Sequence, residues 1–359
     1  MEERELRLMK GNEAIAEAAI RAGVDAFYGY PITPQTEVME YLMETDATAR
    51  TGMAVLQAES EISAINMVYG GAATGHRVMT SSSSPGISLM SEGFSYIAAA
   101  ELPCLIINIS RGGPGLGTIQ PSQADYFQAV KGGGHGDYKL LTLAPSSVQE
   151  LADFIALGFD LAFKYRNPVM ILGDGALGQM MEKVYLPVQR PRMTEYPDWA
   201  TNGTPKGKER RFISSLNLLS QDHERVNIRL QEKYREMEKN EVRYEMIQCD
   251  DAEYIIVAFG IIARIAHKSI KLARAKGHKI GLFRPISLYP FPYDQLRELA
   301  DNERIKGFMS VELSAGQMIE DIRLGVEGRK PIGFFGRLGG MVPTPEEIES
   351  ALYNHFNIK

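Results

Sequence analysis

Short β-rich runs alternate with stretches of helical periodicity along most of this chain, and this alternation limits its fold more than any other feature. In the first half, the runs DAFYGYP, MAVLQA and CLIINISR are separated by segments whose apolar residues recur at helical spacing. Parallel strands need such crossover helices, so the pattern predicts an α/β protein with a mainly parallel sheet. CLIINISR is almost wholly apolar, which is typical of a strand buried on both faces.

The alternation stops after residue 185 and resumes at AEYIIVAFG. The intervening segment begins with prolines, turn residues and charges. Its second part, QDHERVNIRLQEKYREMEKNEVRYEM, has charges at the spacing of one exposed helix. The sequence therefore predicts a first domain over residues 1–185, a connector over residues 186–250 and a second α/β domain over residues 251–359.

Charge and cysteine content argue against several classes of function. The chain has 39 Lys and Arg against 45 Asp and Glu, and the net charge of −6 does not suit a nucleic-acid-binding protein. Its two cysteines, Cys104 and Cys249, are too few for a disulfide scaffold, a four-cysteine zinc site or an iron–sulfur cluster. Such usage fits a reducing cytoplasm. No apolar run reaches about 18 residues, so we expect no membrane span or membrane partner.

Polar motifs stand where predicted strands give way to helices, which is where open α/β sheets bind ligands. The first is YGYPITPQTE, whose candidate binding residues are Tyr30, Pro31, Ile32 and Thr33. We expect Thr33 to cap the next helix, with Pro34 at its first position. This motif forms either an anion-binding turn at a helix N-terminus or a turn that proline merely stiffens.

Two carboxylates flank the start of the next predicted helix. Ser60 is the expected cap, and Glu61 falls in the first turn, where the helix dipole stabilises negative charge. Glu59 lies two residues earlier, and the residues alone do not choose between the two glutamates. The apolar residues of this helix are expected to face mostly inward: Ile62, Ile65, Met67 and Val68.

Two further turns carry polar or charged groups beside glycine. TSSSSPG, residues 80–86, either offers hydroxyls to a ligand or is a flexible turn. Arg111 enters the glycine-rich stretch RGGPGLG at the end of a buried strand. Its guanidinium either binds a carboxylate in bidentate fashion or forms an ion pair at the rim of a site.

The chain resembles the alpha chain of 2-oxoacid:ferredoxin oxidoreductases in four motifs that occur in the same order: YPITP, QAESEISAINMVYGGAATG, TSSSSPGISLMSEG and INISRGGPGLGTIQPSQAD. RPISLYPFP, VELSAGQMIEDIRLGV and FFGRLGGMVPTPEEI resemble the second domain of that family. The last two look closest to the branched-chain, 2-oxoisovalerate type, although 2-oxoglutarate enzymes have similar phrases. The resemblance implies a pyrimidine-binding domain for thiamine diphosphate, followed by a transketolase-C-terminal-like α/β domain.

The resemblance also implies an activity and a set of partners. The activity is the oxidative decarboxylation of a 2-oxoacid to acyl-CoA and CO₂, with coenzyme A as co-substrate and ferredoxin as electron acceptor. Thiamine diphosphate would be shared with a beta chain that carries the diphosphate-binding domain. Mg²⁺ and the iron–sulfur clusters would belong to partner chains, among them a gamma chain and a ferredoxin-like chain, and this chain would hold no metal.

Individual roles are implied for the residues that match the family motifs. Glu61 matches the glutamate that hydrogen-bonds the aminopyrimidine ring, and it is preferred to Glu59 because it aligns with the SE pair before the helix. Arg111 matches the arginine that binds the substrate carboxylate, and Thr33 matches the threonine of YPITP. A carboxylate that shares a proton with the ring nitrogen favours the tautomer whose exocyclic nitrogen removes the thiazolium C2 proton. The other implied cofactor contacts are Tyr30, Pro31 and Ile32.

GDG at residues 173–175 fits none of these motifs. In thiamine enzymes GDG followed by a downstream Asn marks diphosphate and magnesium binding, and Asn202 stands at such a distance. Asn202 lies in the proline-rich connector, however, so a simple turn is favoured. The alternatives at this point are a member specific for 2-oxoglutarate or pyruvate, a non-catalytic scaffold subunit with a degenerate thiamine domain, and a self-contained phosphate-binding enzyme.

Overall fold

The computed structural model of the protein describes residues 4–204 and 209–358. Residues 1–3 and 359, at the ends of the predicted domain ranges, and residues 205–208 of the predicted connector lie outside the described residues. None of the helices in the described part of the chain is both long and apolar enough to cross a membrane.

The first domain alternates strands and helices as its sequence pattern predicts. Its strands are β1 (Leu6–Lys10), β2 (Ala26–Gly29), β3 (Ala54–Gln57), β4 (Val78–Ser82), β5 (Cys104–Ser110), β6 (Leu141–Leu143), β7 (Pro168–Asp174) and β8 (Met181–Tyr185). Its helices are α1 (Gly11–Arg21), α2 (Thr36–Glu44), α3 (Ala47–Thr51), α4 (Glu61–Ala73), α5 (Ser84–Ala99), α6 (Tyr126–Val130), α7 (Val148–Tyr165) and α8 (Gly175–Gln179).

The rest of the chain supplies one long helix and a second α/β unit. Its strands are β9 (Tyr244–Ile247), β10 (Tyr254–Val257), β11 (Ile280–Pro285), β12 (Ser287–Tyr289), β13 (Gly307–Glu312) and β14 (Ile332–Gly336). Its helices are α9 (Ser220–Asn240), α10 (Gly260–Ala275), α11 (Tyr293–Asp301), α12 (Met318–Val326) and α13 (Pro345–Phe356).

A seven-stranded sheet forms the centre of the first domain, in the order β12-β6-β7-β5-β4-β2-β3. Its strands run parallel except β12, which is antiparallel to β6. Every residue of β4, β5 and β7 is buried, so the prediction of a strand covered on both faces at CLIINISR is confirmed. Because these strands are parallel, their carboxyl ends lie at one edge of the sheet.

Each of the two larger sheets includes a strand from a different part of the chain. β12 follows the second domain's β11 in sequence but pairs with β6 of the first sheet. The second sheet has the order β14-β13-β10-β11-β9, and its edge strand β9 is antiparallel to β11. β9 thus completes the second sheet although it precedes the predicted boundary at residue 250. β1 and β8 form a separate antiparallel ribbon.

The connector lies over the first domain. Arg192 Nε donates to Asp25 Oδ1 at 2.9 Å, and the backbone N–H of Thr201 donates to the carbonyl of Ala73 at 2.8 Å. The helix predicted in its second part is present as α9, but it is not exposed all round. Its buried residues are Leu230, Tyr234 and Met237, which pack one face of the helix into the core.

The apolar residues of α4 do not all face inward as the sequence analysis expected. Ile65 and Val68 are buried, whereas Ile62 and Met67 are exposed. Only half of the set therefore faces inward, because helical spacing does not distinguish an apolar side chain in the core from one on the surface. Ile62 leaves an exposed apolar side chain at the start of α4.

Candidate functional site

The YPITP turn follows β2 and precedes α2. Thr33 is not the helix cap that the sequence predicted, because α2 begins only after Gln35, which takes the cap position. The carbonyl of Pro34 instead accepts hydrogen bonds from Asn12 Nδ2 at 2.7 Å and Gln179 Nε2 at 3.0 Å. Side chains from α1 and α8 therefore hold Pro34 in a turn, and the helix starts later.

Gln35 fixes this turn against the neighbouring strand. Its backbone N–H donates to the carbonyl of Ile32 at 3.0 Å, and its Nε2 donates to the carbonyl of Tyr30 at 3.4 Å. Its Oε1 accepts a hydrogen bond from Ser81 Oγ at 2.5 Å. The predicted contact residues Tyr30, Pro31 and Ile32 are half-buried here. Gln35 and Asn12 were not among the predicted site residues, since no local pattern marks a side chain that reaches a distant turn.

Arg111 follows β5 and contacts the YPITP turn. Its Nη1 donates to the carbonyl of Thr33 at 2.8 Å, and its Nη2 donates to the carbonyl of Leu116 at 3.2 Å. Its Nε is buried and has no hydrogen-bond partner among the described residues. A buried donor without a partner is costly, and a carboxylate is a strong acceptor for guanidinium donors.

Glu61 opens α4, and Ser60 caps this helix as predicted, with its Oγ accepting from the backbone N–H of Ser63 at 3.2 Å. Glu61 is only 6% exposed, whereas Glu59 is exposed. Within the described parts of the chain, no side chain or backbone group hydrogen-bonds the Glu61 carboxylate. A Cβ at Gly86 would overlap the Ser82 hydroxyl and lie 2.7 Å from Glu61 Oε1. Glycine at residue 86 therefore lets the carboxylate lie against the start of α5.

Residues 80–86, here named the hydroxyl segment, connect these groups. Ser81 bonds Gln35 of the YPITP turn, and Ser82 lies beside Gly86 and the Glu61 carboxylate. Ser84 Oγ accepts from the backbone N–H of Arg111 at 3.0 Å. Residues 80–82 end β4 and residues 84–86 begin α5, so only Ser83 lies between the two elements, and the serines at 81–83 are buried. Thr33 and Arg111 are thus in contact, and Glu61 lies at the adjacent strand-to-helix junction.

GDG forms a structural cap. Asp174 ends β7, and its Oδ1 accepts from the backbone N–H groups of Ala176 at 2.9 Å and Leu177 at 3.1 Å at the start of α8. Burial raises the pKa of Asp174 to about 6, although the hydrogen bonds that these N–H groups donate to its carboxylate act to lower it. Gly173 and Asp174 belong to β7 and Gly175 begins α8, so the predicted turn is a direct strand-to-helix junction that Asp174 caps. In residues 4–204 and 209–358, no group of three or more His, Cys, Asp or Glu side chains is arranged to hold a metal ion.

A cavity of 540 Å³ lies where the second domain meets this edge of the first sheet. Its lining includes Ser84, Asp125, Pro114, Ser314, Gln317 and Leu338. The domains are joined here by Gln123, whose backbone N–H and Oε1 both bond the backbone of Leu313, at 2.9 and 3.0 Å. Gln123 Nε2 also donates to the carbonyl of Phe259 at 2.9 Å. The second domain is therefore fixed beside the candidate site.

Two protein-family models match the chain. Residues 17–249 match the thiamine diphosphate-binding domain of pyruvate flavodoxin/ferredoxin oxidoreductases, and residues 252–348 match core domain II of pyruvate:ferredoxin oxidoreductase. A split-gene transketolase has a similar fold, with a TM-score of 0.61 at 14% identity over 98% of this chain and 99% of that chain. The predicted fold class is confirmed by these matches.

Two relatives in the comparison carry different names. The chain is 48% identical to the ketoisovalerate oxidoreductase subunit VorB of Methanothermobacter thermautotrophicus over 93% of each chain. It is 33% identical to the 2-oxoglutarate synthase subunit KorA of Methanocaldococcus jannaschii, over 97% of this chain and 99% of that one. The order of similarity, ketoisovalerate type before 2-oxoglutarate type, is the order that the motifs indicated.

A solved structure extends the agreement. It is the 2-oxoglutarate:ferredoxin oxidoreductase from Magnetococcus marinus with 2-oxoglutarate, coenzyme A and succinyl-CoA bound, with a TM-score of 0.86 and 26% identity. The match covers 99% of this chain and 66% of that chain. From its two matched domains, its relatives and this structure, the chain belongs to the 2-oxoacid:ferredoxin oxidoreductases, as a subunit with their thiamine diphosphate-binding domain.

Proposed function

We propose that this chain is the alpha subunit of a 2-oxoisovalerate:ferredoxin oxidoreductase and forms the aminopyrimidine half of a thiamine diphosphate site. The observation that carries this proposal is the contact of Arg111 with the YPITP turn, at the sheet edge where the unpartnered Glu61 carboxylate also lies. The preference for a branched-chain substrate is supported by 48% identity to the ketoisovalerate subunit against 33% to the 2-oxoglutarate subunit.

Glu61 fits an aminopyrimidine ring. The residue is only 6% exposed, and its carboxylate has no hydrogen-bond partner among the described residues, so a ring nitrogen would satisfy it. There it would hold the proton that sets the tautomer of the ring. Thiamine diphosphate, when bound, supplies a thiazolium carbon that reacts with the ketone of a 2-oxoacid. Gly86 preserves the space in which Glu61 meets the ring.

Arg111 and Thr33 would bind the substrate. The guanidinium is positioned by the carbonyls of Thr33 and Leu116 and keeps an unpartnered Nε among the described residues. A carboxylate approaching this face would gain charge-assisted hydrogen bonds in a place largely closed to water. Arg111 would therefore bind and orient the carboxylate of the 2-oxoacid. The Thr33 hydroxyl, on an exposed residue of the same turn, would contact the substrate or cofactor.

The diphosphate and its Mg²⁺ would be held by a beta chain. Asp174 of GDG is occupied as a helix cap, and the described residues contain no other carboxylate cluster suited to a metal. Coenzyme A would accept the acyl group. Electrons would pass through iron–sulfur clusters on the gamma and ferredoxin-like chains to ferredoxin, since this chain has only two cysteines, both buried.

Exposed apolar residues around the site support the proposed contact with the beta chain. They occur on α4, on α5, on the glycine-rich stretch after β5 and in the loop after β14: Ile62, Leu89, Leu116, Ile119, Leu338 and Met341. Apolar surface beside an incomplete cofactor site is removed from water when a second chain covers it, which stabilises the assembly. We infer that the beta chain covers this face and completes the cofactor site.

The direct test is to co-express this chain with its partner chains and assay the purified complex with coenzyme A, ferredoxin and a panel of 2-oxoacids. We expect 2-oxoisovalerate to give the highest kcat/KM. A higher value for 2-oxoglutarate or pyruvate would contradict the branched-chain assignment. An assembled complex that oxidises no 2-oxoacid would favour the non-catalytic scaffold.

Calorimetry on the isolated chain tests the shared site separately. Weak binding of thiamine diphosphate is expected, because this chain would bind only one end of the cofactor. Tight, Mg²⁺-dependent binding to the isolated chain would contradict the shared site.

A further inference from the structure

We propose that Asp125 is a positioning residue for Arg111 and acts on it through Ser84. Asp125 ends the motif PSQAD, to which the proposed function gives no role. The inference rests on that function, because it assumes that Arg111 binds the substrate carboxylate.

The three residues form a directed chain of hydrogen bonds. Asp125 Oδ2 accepts from Ser84 Oγ at 2.7 Å, and Ser84 Oγ accepts from the backbone N–H of Arg111 at 3.0 Å. The carbonyl of Arg111 lies 3.1 Å from the same hydroxyl, which has only one proton to donate. A carboxylate is a stronger acceptor than a carbonyl, so Asp125 takes this proton and leaves a lone pair of Ser84 for the Arg111 N–H.

This arrangement acts where the backbone of Arg111 leaves β5. Arg111 is the first residue of the glycine-rich stretch, and Gly113 and Gly115 after it have no Cβ to limit their motion. The bond to Ser84 restrains the residue at its own N–H. A small shift there would move the guanidinium from the carbonyls of Thr33 and Leu116, and a misplacement of about 1 Å costs about 100-fold in rate.

Asp125 is itself held from both sides of the domain boundary. Asn108 Nδ2 of β5 donates to Asp125 Oδ2 at 2.9 Å. The neighbouring Ala124 and Phe127 are bound by Gln317 of the second domain, which donates to the carbonyl of Ala124 and accepts from the N–H of Phe127, both at 2.7 Å. The second domain thus helps to set the position of Asp125, and through it that of Arg111.

The test compares two substitutions at each position in the assembled complex. Asp125→Ala removes the acceptor, whereas Asp125→Asn keeps an oxygen that can accept from Ser84. Ser84→Ala removes the hydroxyl, and Ser84→Thr retains it. We expect both alanine variants to lower kcat/KM for the 2-oxoacid about 10- to 100-fold, mainly through KM, with the KM for coenzyme A unchanged. Asp125→Asn and Ser84→Thr should recover most of the loss.

Two further measurements separate positioning from loss of stability. The double variant Asp125→Ala with Ser84→Ala should be no worse than either single variant, because the residues act in series. Amide hydrogen exchange of the peptide containing Arg111 should be faster in Asp125→Ala. The matched control is Asp25→Ala, which removes another buried, hydrogen-bonded aspartate at the opposite end of β2. It should lower stability without changing the KM for the 2-oxoacid.

The outcomes distinguish this inference from the proposed function. If Arg111→Ala lowers kcat/KM but Asp125→Ala leaves the 2-oxoacid KM unchanged, the positioning role is wrong and the proposed function stands. The role is also wrong if Asp125→Ala raises the KM values for the 2-oxoacid and coenzyme A equally. If Arg111→Ala itself has no effect on kcat/KM, the proposed substrate site fails, and the role of Asp125 fails with it.

Discussion

Arg111 lies at the edge of the sheet, and part of its guanidinium has no hydrogen-bond partner among the described residues. Its contribution to catalysis can be measured by substitution. In the assembled complex, Arg111→Ala should reduce transition-state stabilisation for the 2-oxoacid by about 2–4 kcal/mol, because a shielded charged partner of the carboxylate is removed. The measurement is kcat/KM for 2-oxoisovalerate. Unchanged kinetics would show that Arg111 is only an ion-pairing residue at the rim.

Glu61 and Glu59 differ in burial. Substitution of each glutamate can therefore test which of the two contacts the cofactor. Glu61→Gln keeps the volume but not the carboxylate, and it should slow exchange of the thiazolium C2 proton about 10²- to 10⁴-fold. Glu59→Gln is the matched control, since Glu59 is exposed. Quenched exchange followed by NMR of the reconstituted complex measures the rate. Slow exchange in Glu59→Gln alone would transfer the role to Glu59.

At the scale of elements, one buried carboxylate joins three helices of the first domain. Glu17 of α1 has no exposed surface and accepts two hydrogen bonds from Arg50 of α3, at 2.8 and 2.9 Å. It also accepts from Arg21 Nε at 2.8 Å and from the hydroxyl of Tyr41 of α2 at 3.2 Å. Burial alone would raise the pKa of Glu17, but the bonds from Arg50 and Arg21 outweigh it and lower this pKa.

Removal of Glu17 should therefore be costly, and the cost should depend on pH. Glu17→Ala is expected to lower the free energy of unfolding at pH 7 by about 3 kcal/mol, because it leaves the Arg50 guanidinium without its partner and removes one of the two carboxylates that Arg21 contacts. Because folding lowers the Glu17 pKa, its stabilisation is complete above the ordinary carboxyl pKa of 4.5 and is lost as pH falls through the folded-state value. The difference between wild type and Glu17→Ala should shrink below about pH 4.5.

Denaturant unfolding across pH checks this expectation. Glu40→Ala on α2 is the control, because Glu40 is exposed and its loss should change stability by less than about 0.5 kcal/mol. A constant difference between wild type and Glu17→Ala from pH 7 to pH 3 would contradict the lowered pKa.

At the scale of the whole molecule, the exposed apolar face beside Glu61 should determine assembly. Ile62→Asp places a charge on this face without disturbing the buried side of α4, so the isolated chain should keep its stability. Its affinity for the beta chain should fall at least about tenfold, as measured by calorimetry or size-exclusion chromatography. Leu324→Asp, an equally exposed apolar position on α12, is the control. Equal loss of affinity in both variants would place the interface elsewhere.

The α/β class, the course of most strands and helices, and the family could all be predicted from the amino-acid sequence. Strand and helix periodicities and capping residues such as Ser60 act between neighbours in the chain, so they can be recognised without a fold. The motifs placed Thr33, Glu61 and Arg111 on the candidate list because each stands at the end of a predicted strand. Their catalytic roles are still predictions.

The contacts between distant segments could not be predicted and became visible in the folded chain. It showed Asn12 holding Pro34, Gln123 joining the domains and β12 entering the first sheet, and it moved the start of α2 past Thr33. It also showed that Ile62 is exposed, although its spacing predicted a core position. The physical reason is common to all of these: burial and long-range hydrogen bonds depend on which segments pack together, and local periodicity carries no information about that partner.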